Sequence, residues 1–275
     1  MHSVLDLDLD FFVWPIALDV EEDGQRLDPQ EYFPKSEQQV RSFLEGRCGL
    51  STTQRIPGRF VLHHMEAFST LREWLEQDIL AKPFDVVHVD AHADLGSSSG
   101  LINNSPRFFE TELLRLPLEQ RCSPRFGVDA VNSGNYLVAA IANRWINKLT
   151  YVYPADPTPC PPATIQAFAR MEKLRRLRND EDEWFPTDLP PYWFKSGDPN
   201  TRRIELKEYS TNGYSRVGLS TRPIHVEPEI PFDWVEGDKF QSSGFTHMVL
   251  AQSPSYTPQS ADHLIQVISE YFTPA

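Results

Sequence analysis

The sequence predicts an α/β protein of three layers, in which a mainly parallel sheet carries helices on both faces. Three observations lead there. Short apolar, β-branched runs alternate along the chain with segments of helical period. The polar residues with chemical potential fall where such runs end, the place at which open parallel sheets gather ligand-binding groups. The chain has 275 residues, 40% hydrophobic and 12% aromatic, enough for a sizeable core, with an ordinary 24% charged. That length suits a single domain over 1–275 with insertions.

Residues 3–13, SVLDLDLDFFV, alternate apolar and acidic and then turn wholly apolar, the pattern of a strand nearing its end. Trp14-Pro15 closes it, and loop-forming residues follow to about Pro34. Val40, Phe43 and Leu44 share one face of a helix expected over 35–46. RFVLHH reads as the next strand and MEAFSTLREWLEQDIL as the helix behind it, with Phe68, Leu71, Trp74, Leu75 and Ile79 at helical spacing and Pro83 as its stop. FDVVHVDAHADL is a buried parallel strand that breaks into polar residues at Asp90. A loop with Gly96 and three serines, a helix over 108–115, a helix opening at Ser133-Gly134-Asn135 and the strand KLTYVYP come next. Residues 154–200, rich in proline and containing MEKLRRLRNDEDEW, are expected as an insertion. RRIELKEY and YSRVGLSTRPIHV read as a hairpin or edge strands, and THMVLAQSPSYTPQSADHLIQVISEYF as strand, Ser/Pro loop and closing helix.

The net charge of −13 is dispersed over short acidic stretches, which argues against nucleic acid as a partner and accommodates a cationic one. Acidic loops at 19–23 and 180–183, with Arg202 and Arg203, are readable as peptide contacts, but solvated surface is the better reading of all of them. Cys48, Cys122 and Cys160 form neither a CxxC pair nor a secreted framework, so a reducing compartment is expected. No basic, apolar leader opens the sequence and no apolar run is long enough for a bilayer, so the expected location is cytoplasmic, without a membrane partner. An oligomer is compatible with all of this.

The chemistry concentrates at three strand ends. Asp8 and Asp10 lie two apart and would share a face of an extended strand; Asp90, His92 and Asp94 repeat that spacing, and His64 closes a third strand. Several carboxylates meeting at one place need a compensating cation, because like charges raise one another's pKa. Four Asp with two His suit Mn or Fe better than Ca or structural Zn. Such a pair of ions makes hydroxide from bound water near neutral pH, which points to hydrolysis. Each element also has a plainer reading: DLDLD as a solvated edge or Ca loop, His63 and His64 as a helix cap or satisfied core, His88 as support for the site or as core.

Asp90-Ala91-His92-Ala93-Asp94 resembles the DAHxD motif of the arginase and agmatinase superfamily. Asp6-Leu7-Asp8-Leu9-Asp10 resembles that superfamily's second DxD motif, and Ser133-Gly134-Asn135 the SGN that touches substrate in arginases. LDLDLDFF, LHHMEAF and HVDAHADL are similar to a divergent branch that includes bacterial peptide arginases. The resemblance covers scattered motifs in roughly the first half of the chain and the final strand-helix unit.

It implies an arginase- and deacetylase-like fold with the DxD strand circularly permuted to the N-terminus, since in arginases that strand comes late. It also implies two Mn2+ per chain, with Fe or Co as substitutes. Asp8 and Asp90 would bridge them, Asp10 and His92 would complete one metal, and His64, in the place of the lone histidine of GGDHS, with Asp94 the other. The implied reaction is hydrolysis of peptidyl arginine to ornithine and urea, on a ribosomally made precursor peptide as partner. Asp90, His92 and Asp94 would be catalytic and Ser133 and Asn135 would meet substrate, with Glu66 a candidate for both roles from outside the matched motifs.

The chain departs from the family pattern at two functional places. No histidine stands two residues after Asn135, and LAQSPSY lacks the late glutamate that orients the guanidinium; Glu66 and Asp129 are the candidates for that place. Asp6 competes with Asp10 as the ligand. Two further readings stay open: a zinc deacetylase-type amide hydrolase using Tyr136 or Tyr256, and a peptide-binding module whose metals only hold loops.

Overall fold

The computed structural model describes residues 1–17, 25–95, 101–102, 105–106, 113–114, 116–126, 130–155, 192–194, 203–208 and 225–275. The insertion at 154–200 is outside them apart from 154–155 and 192–194. So are both acidic loops, Gly96 and its serines, Asp129, Cys160 and Arg202, and all of 108–115 except the helical Leu113 and Leu114. The chain divides into two units, 1–93 with 144–155 and 234–275, and 94–143 with 156–233.

The first unit is α/β. Its strands are β1 (Ser3–Asp8), β2 (Ile56–Val61), β3 (Phe84–Val89), β4 (Ile146–Tyr153), β5 (His247–Ala251) and β6 (Phe272–Pro274). They stand in the order β4-β3-β1-β5-β2-β6 with every pairing parallel. The sequence reading ran the closing helix through SEYF; instead α4 (His263–Ser269) stops and β6 returns Phe272 beside Ile56.

β1 is central and buried on both faces, so its Leu/Asp alternation does not separate core from solvent. Leu5 and Leu7, with Val87, Val89, Met248 and Leu250, join Val40 and Leu44 of α1 (Glu37–Gly46) and Leu264 and Ile268 of α4 in one core. A capping box between Ser36 and Gln39 starts α1 two residues later than the sequence reading. The opposite face carries Val4, Asp6, Asp8, Val86 and His88, following the period of two along a strand. There α2 (Glu66–Glu76) covers the sheet, with Trp74 5.3 Å from the ring of His247 and Phe68 stacked on Trp145 at 4.7 Å. α2 ends well before Pro83: Asp78 takes a left-handed φ of 57°, and the Ile79 N–H turns back to the Trp74 carbonyl at 2.9 Å. Helices on both faces of a parallel sheet make this unit a doubly covered α/β layer structure.

In the second unit α3 (Tyr136–Ala142) is wholly buried. Arg121 is enclosed there, donating to the carbonyls of Leu114, Leu116 and Ala142 and to Glu227 Oε1 at 2.6 Å. The strand Arg203–Glu208 pairs antiparallel with residues 192–194, 225–226 and 230–231. Arg203 meets Glu229 at 3.0 Å.

Candidate metal centre

Register brings the ends of β1, β3, β5 and β2 to one level: Leu7 pairs with Val89, Asp8 with Ala251, and Ala251 with Val61. Beyond that level two adjacent strands close in the same way. Asp8 Oδ1 accepts the Asp10 N–H at 3.0 Å, and Asp90 Oδ1 accepts the His92 N–H at 2.6 Å. These are Asx turns, in which a side chain satisfies the backbone two residues on and replaces the ladder. The expectation that strand period alone aligns Asp8 with Asp10, and Asp90 with His92, is therefore corrected. Asp10 lies in a 3-10 turn over Leu9–Phe12, and Asp90 to His92 lie past the end of β3.

His64, three residues past β2, reaches across to both turns. Its Nδ1 is 2.9 Å from Asp90 Oδ2 and 3.0 Å from Asp8 Oδ2. On the other side His92 Nδ1 lies 2.9 Å from Asp10 Oδ2 and 3.5 Å from Asp90 Oδ1. Asp90 is thus shared by the groups Asp8-His64-Asp90 and Asp10-Asp90-His92, and offers a different oxygen to His64 and to His92. Within each group the ligand atoms lie within 4.8 Å of one another.

Further contacts aim these side chains. His92 Nε2 donates to the Ala17 carbonyl at 2.8 Å, which makes Nδ1 the nitrogen turned to the carboxylates and the one a cation would take in place of a proton. Ser253, in a left-handed backbone at φ 46° just after β5, donates its hydroxyl to Asp8 Oδ2. Asp10 Oδ1 accepts the Ala91 N–H at 3.2 Å, and the Tyr151 hydroxyl donates to the Ala91 carbonyl at 3.1 Å. Tyr256 sets its ring edge-on to His92 at 4.8 Å. The His92 side chain is 25% exposed, whereas those of His64, Asp8, Asp10 and Asp90 are at most 4%. The cluster is therefore reached from the His92 side.

Asp6 lies beneath. Its carboxylate spans His64 Nε2 at 3.2 Å and His88 Nδ1 at 3.0 Å, so Asp10 and not Asp6 shares the group with Asp90 and His92. Burial drives the Asp10 carboxyl up, the charges of Asp8 and Asp90 add to it, and it stands well above the usual carboxylate range against the pull of His92. Burial pushes Asp90 the same way, but hydrogen bonds from His64 and His92, with the charges of His88 and His64, hold it well below that range. Asp6 behaves alike: burial opposes its charge, and His64 and His88 override burial. For His92, burial disfavours the imidazolium, yet hydrogen bonds to Asp10 and Asp90 raise it well above its ordinary value.

This donor set fits a divalent cation. Three buried carboxylates and two histidines converge, and one carboxyl is forced toward its neutral form by burial and by the other two, an imbalance that a cation removes. Ligand atoms about 3 Å apart are also the spacing of neighbours around an ion with bonds of about 2.1 Å. The buried Asp/His clusters can hold metal ions.

Of the remaining residues named from the sequence, Glu66 opens α2 and accepts the Leu62 N–H at 3.1 Å. Asp94, Ser133 and Asn135 belong to the second unit. Asp94 is buried in a left-handed backbone at φ 47°. Asn135 is fully buried and braces its own loop, accepting from the Asn132 N–H at 2.9 Å and donating to the Ala130 carbonyl at 3.0 Å, while Ser133 is half-buried beside it. Sequence reasoning missed Ser253; the signal available was a Ser/Pro loop directly after an apolar strand, the same position that marked Asp90 and His64. No family model, no curated protein and no solved structure matches this chain.

Proposed function

We propose that the chain is a metal-dependent hydrolase with two Mn2+ in this centre, converting peptidyl arginine to ornithine with release of urea on a ribosomally made peptide. The observation that carries the dinuclear part is Asp90, which presents Oδ2 to the His64 group and Oδ1 to the His92 group. Asp8, His64 and Asp90 would hold one ion and Asp10, Asp90 and His92 the other. Bound there, such ions supply a hydroxide near neutral pH and neutralise charge developing on the attacked carbon.

The chain's own groups do the positioning. Ser253 and the two Asx turns orient Asp8 and Asp90, and the Ala17 carbonyl fixes the ring of His92. The partly open His92 edge, flanked by Tyr256, is where a side chain would enter. Support for arginine comes from the DAHAD, DLD and SGN motifs and from the charge of −13, which attracts a cationic guanidinium. Asp94 and Ser133 stay in this reading as groups carried over from those motifs, and Glu66 as the candidate for the missing guanidinium-orienting glutamate.

The direct test is mass spectrometry of an arginine-containing peptide incubated with protein and Mn2+. The expected result is a loss of about 42 Da per modified arginine, the mass difference between a guanidinium and the amine left by hydrolysis. The loss should vanish with chelator and in Asp90→Asn. An unchanged peptide sinks the substrate assignment.

A second reading rests on Tyr256, whose place against His92 suits a deacetylase-type amide hydrolase in which a tyrosine polarises the attacked carbonyl. That reading requires one Zn2+ per chain and turnover of an acetylated lysine; two Mn2+ per chain exclude it.

A further inference from the structure

Asp6 and His88 form a buried layer that the hydrolytic reading does not use. They are neighbours in register on β1 and β3, both are inaccessible to solvent, and both lie on the face covered by α2. An ionisable pair at that depth is costly unless each member is committed to partners.

All four of its polar ends point at ligand residues or at each other, and one of them, His88 Nε2, lies 3.3 Å from Asp90 Oδ2 as well as facing the backbone of His92. Asp6 Oδ1 faces His64 Nε2 at 3.2 Å, and Asp6 Oδ2 faces His88 Nδ1 at 3.0 Å. His88 Nε2 faces the His92 carbonyl oxygen at 3.2 Å; an oxygen of that kind only accepts, so Nε2 donates. A continuous chain thus runs from His64 through Asp6 and His88 to the backbone of His92, joining the two histidines that face Asp90 from opposite sides.

We propose that Asp6 is a positioning residue of the metal centre. By accepting the His64 Nε2–H it fixes that ring with Nδ1 turned to Asp8 and Asp90, and through His88 it holds the His92 turn in place. This rests on the metal-centre reading above. The physical reason is general: the group bonded to one imidazole nitrogen decides which nitrogen is left to bind metal, and loss of such a partner weakens metal binding about 10–100-fold. Asn in place of Asp6 keeps the shape, but it removes the ionised acceptor that holds the His64 Nε2–H.

Titration calorimetry with Mn2+ separates the outcomes. Wild type that binds no Mn2+ removes the metal-centre reading and this inference together. Wild type that binds, with Asp6→Asn weaker by about 10–100-fold and an unchanged melting temperature in chelator, supports it. Asp6→Asn binding as tightly as wild type overturns it while leaving the metal centre intact.

Nitrogen NMR of the histidine rings in Zn2+-loaded wild type tests the same idea without relying on a variant that folds. The expected state of His64 is a proton on Nε2 and metal on Nδ1. The reverse assignment, or a ring with metal on both nitrogens, overturns the proposal.

Discussion

Replacing Asp10 by Asn should make the metal-free protein more stable and the metal-loaded protein less so. Asp10 lies within 4.8 Å of Asp90 through their ligand atoms, which at an effective dielectric of 20 is a repulsion of roughly 3.5 kcal/mol. Asp8, joined to it in the same turn, adds repulsion of the same sign. His92 at 2.9 Å returns roughly 5.7 kcal/mol on the same scale. Burial then tips the balance against the charge, which is why the carboxyl stands well above its ordinary range. Asn removes the charge and keeps the oxygen that accepts from Ala91. The expected gain in chelator at pH 7.5 is about 1–2 kcal/mol, or a melting temperature higher by about 3–6 °C.

The pH dependence has a definite sign. A carboxyl raised in the folded state contributes stability that is full below its unfolded value of about 4 and is lost as pH rises through the folded value. Wild type therefore falls behind Asp10→Asn as pH rises, and the two converge near pH 4. Adding Mn2+ at 100 times its Kd should restore about 2.7 kcal/mol to wild type and little to the variant, inverting their order. Thermal melts with and without metal over that pH range are the assay. A variant clearly less stable than wild type in chelator refutes the electrostatic account, and an order that metal does not invert refutes the role of Asp10 as a ligand.

Other predictions come from different parts of the molecule. Burial, with the nearby His2 adding to it, lowers the pKa of His247, whose stability contribution is thus full above about pH 6.5 and lost as pH falls from there through the lowered folded value; His247→Gln should flatten this part of the urea-midpoint profile. Arg121→Met strands the buried Glu227 carboxylate and should cost about 3–5 kcal/mol by urea denaturation, whereas a cost under 1 kcal/mol would show the pair to be dispensable. Cys48 is buried and its thiol is pushed up by burial, so peptide mapping after alkylation of the folded protein should find it unmodified while the partly exposed Cys122 reacts.

Much of this molecule is legible without coordinates. Apolar runs at 84–89, 148–154 and 247–251 announce strands because buried parallel strands need apolar side chains on both faces, though the middle strand begins at Ile146, a residue the sequence reading gave to the preceding helix. Asp8, Asp90, His92 and His64 announce themselves because residues that are costly to bury stand where such strands end. Local sequence also carried α1 and α2, whose apolar positions recur at helical spacing.

Three things lay beyond it. Asp8 meets Asp10, and Asp90 meets His92, through Asx turns whose bonds depend on where each strand stops, and pattern places such boundaries only loosely. Asp6 and His88 become partners through the register of β1 on β3, which brings together residues 82 positions apart, a relation that no local period encodes. Ser253 reaches Asp8 across 245 positions because β5 lies next to β1. The sequence by itself determined which residues are too polar to bury without a purpose. Only the tertiary structure decided which of them meet, because strand order and register are settled by the packing of the whole sheet.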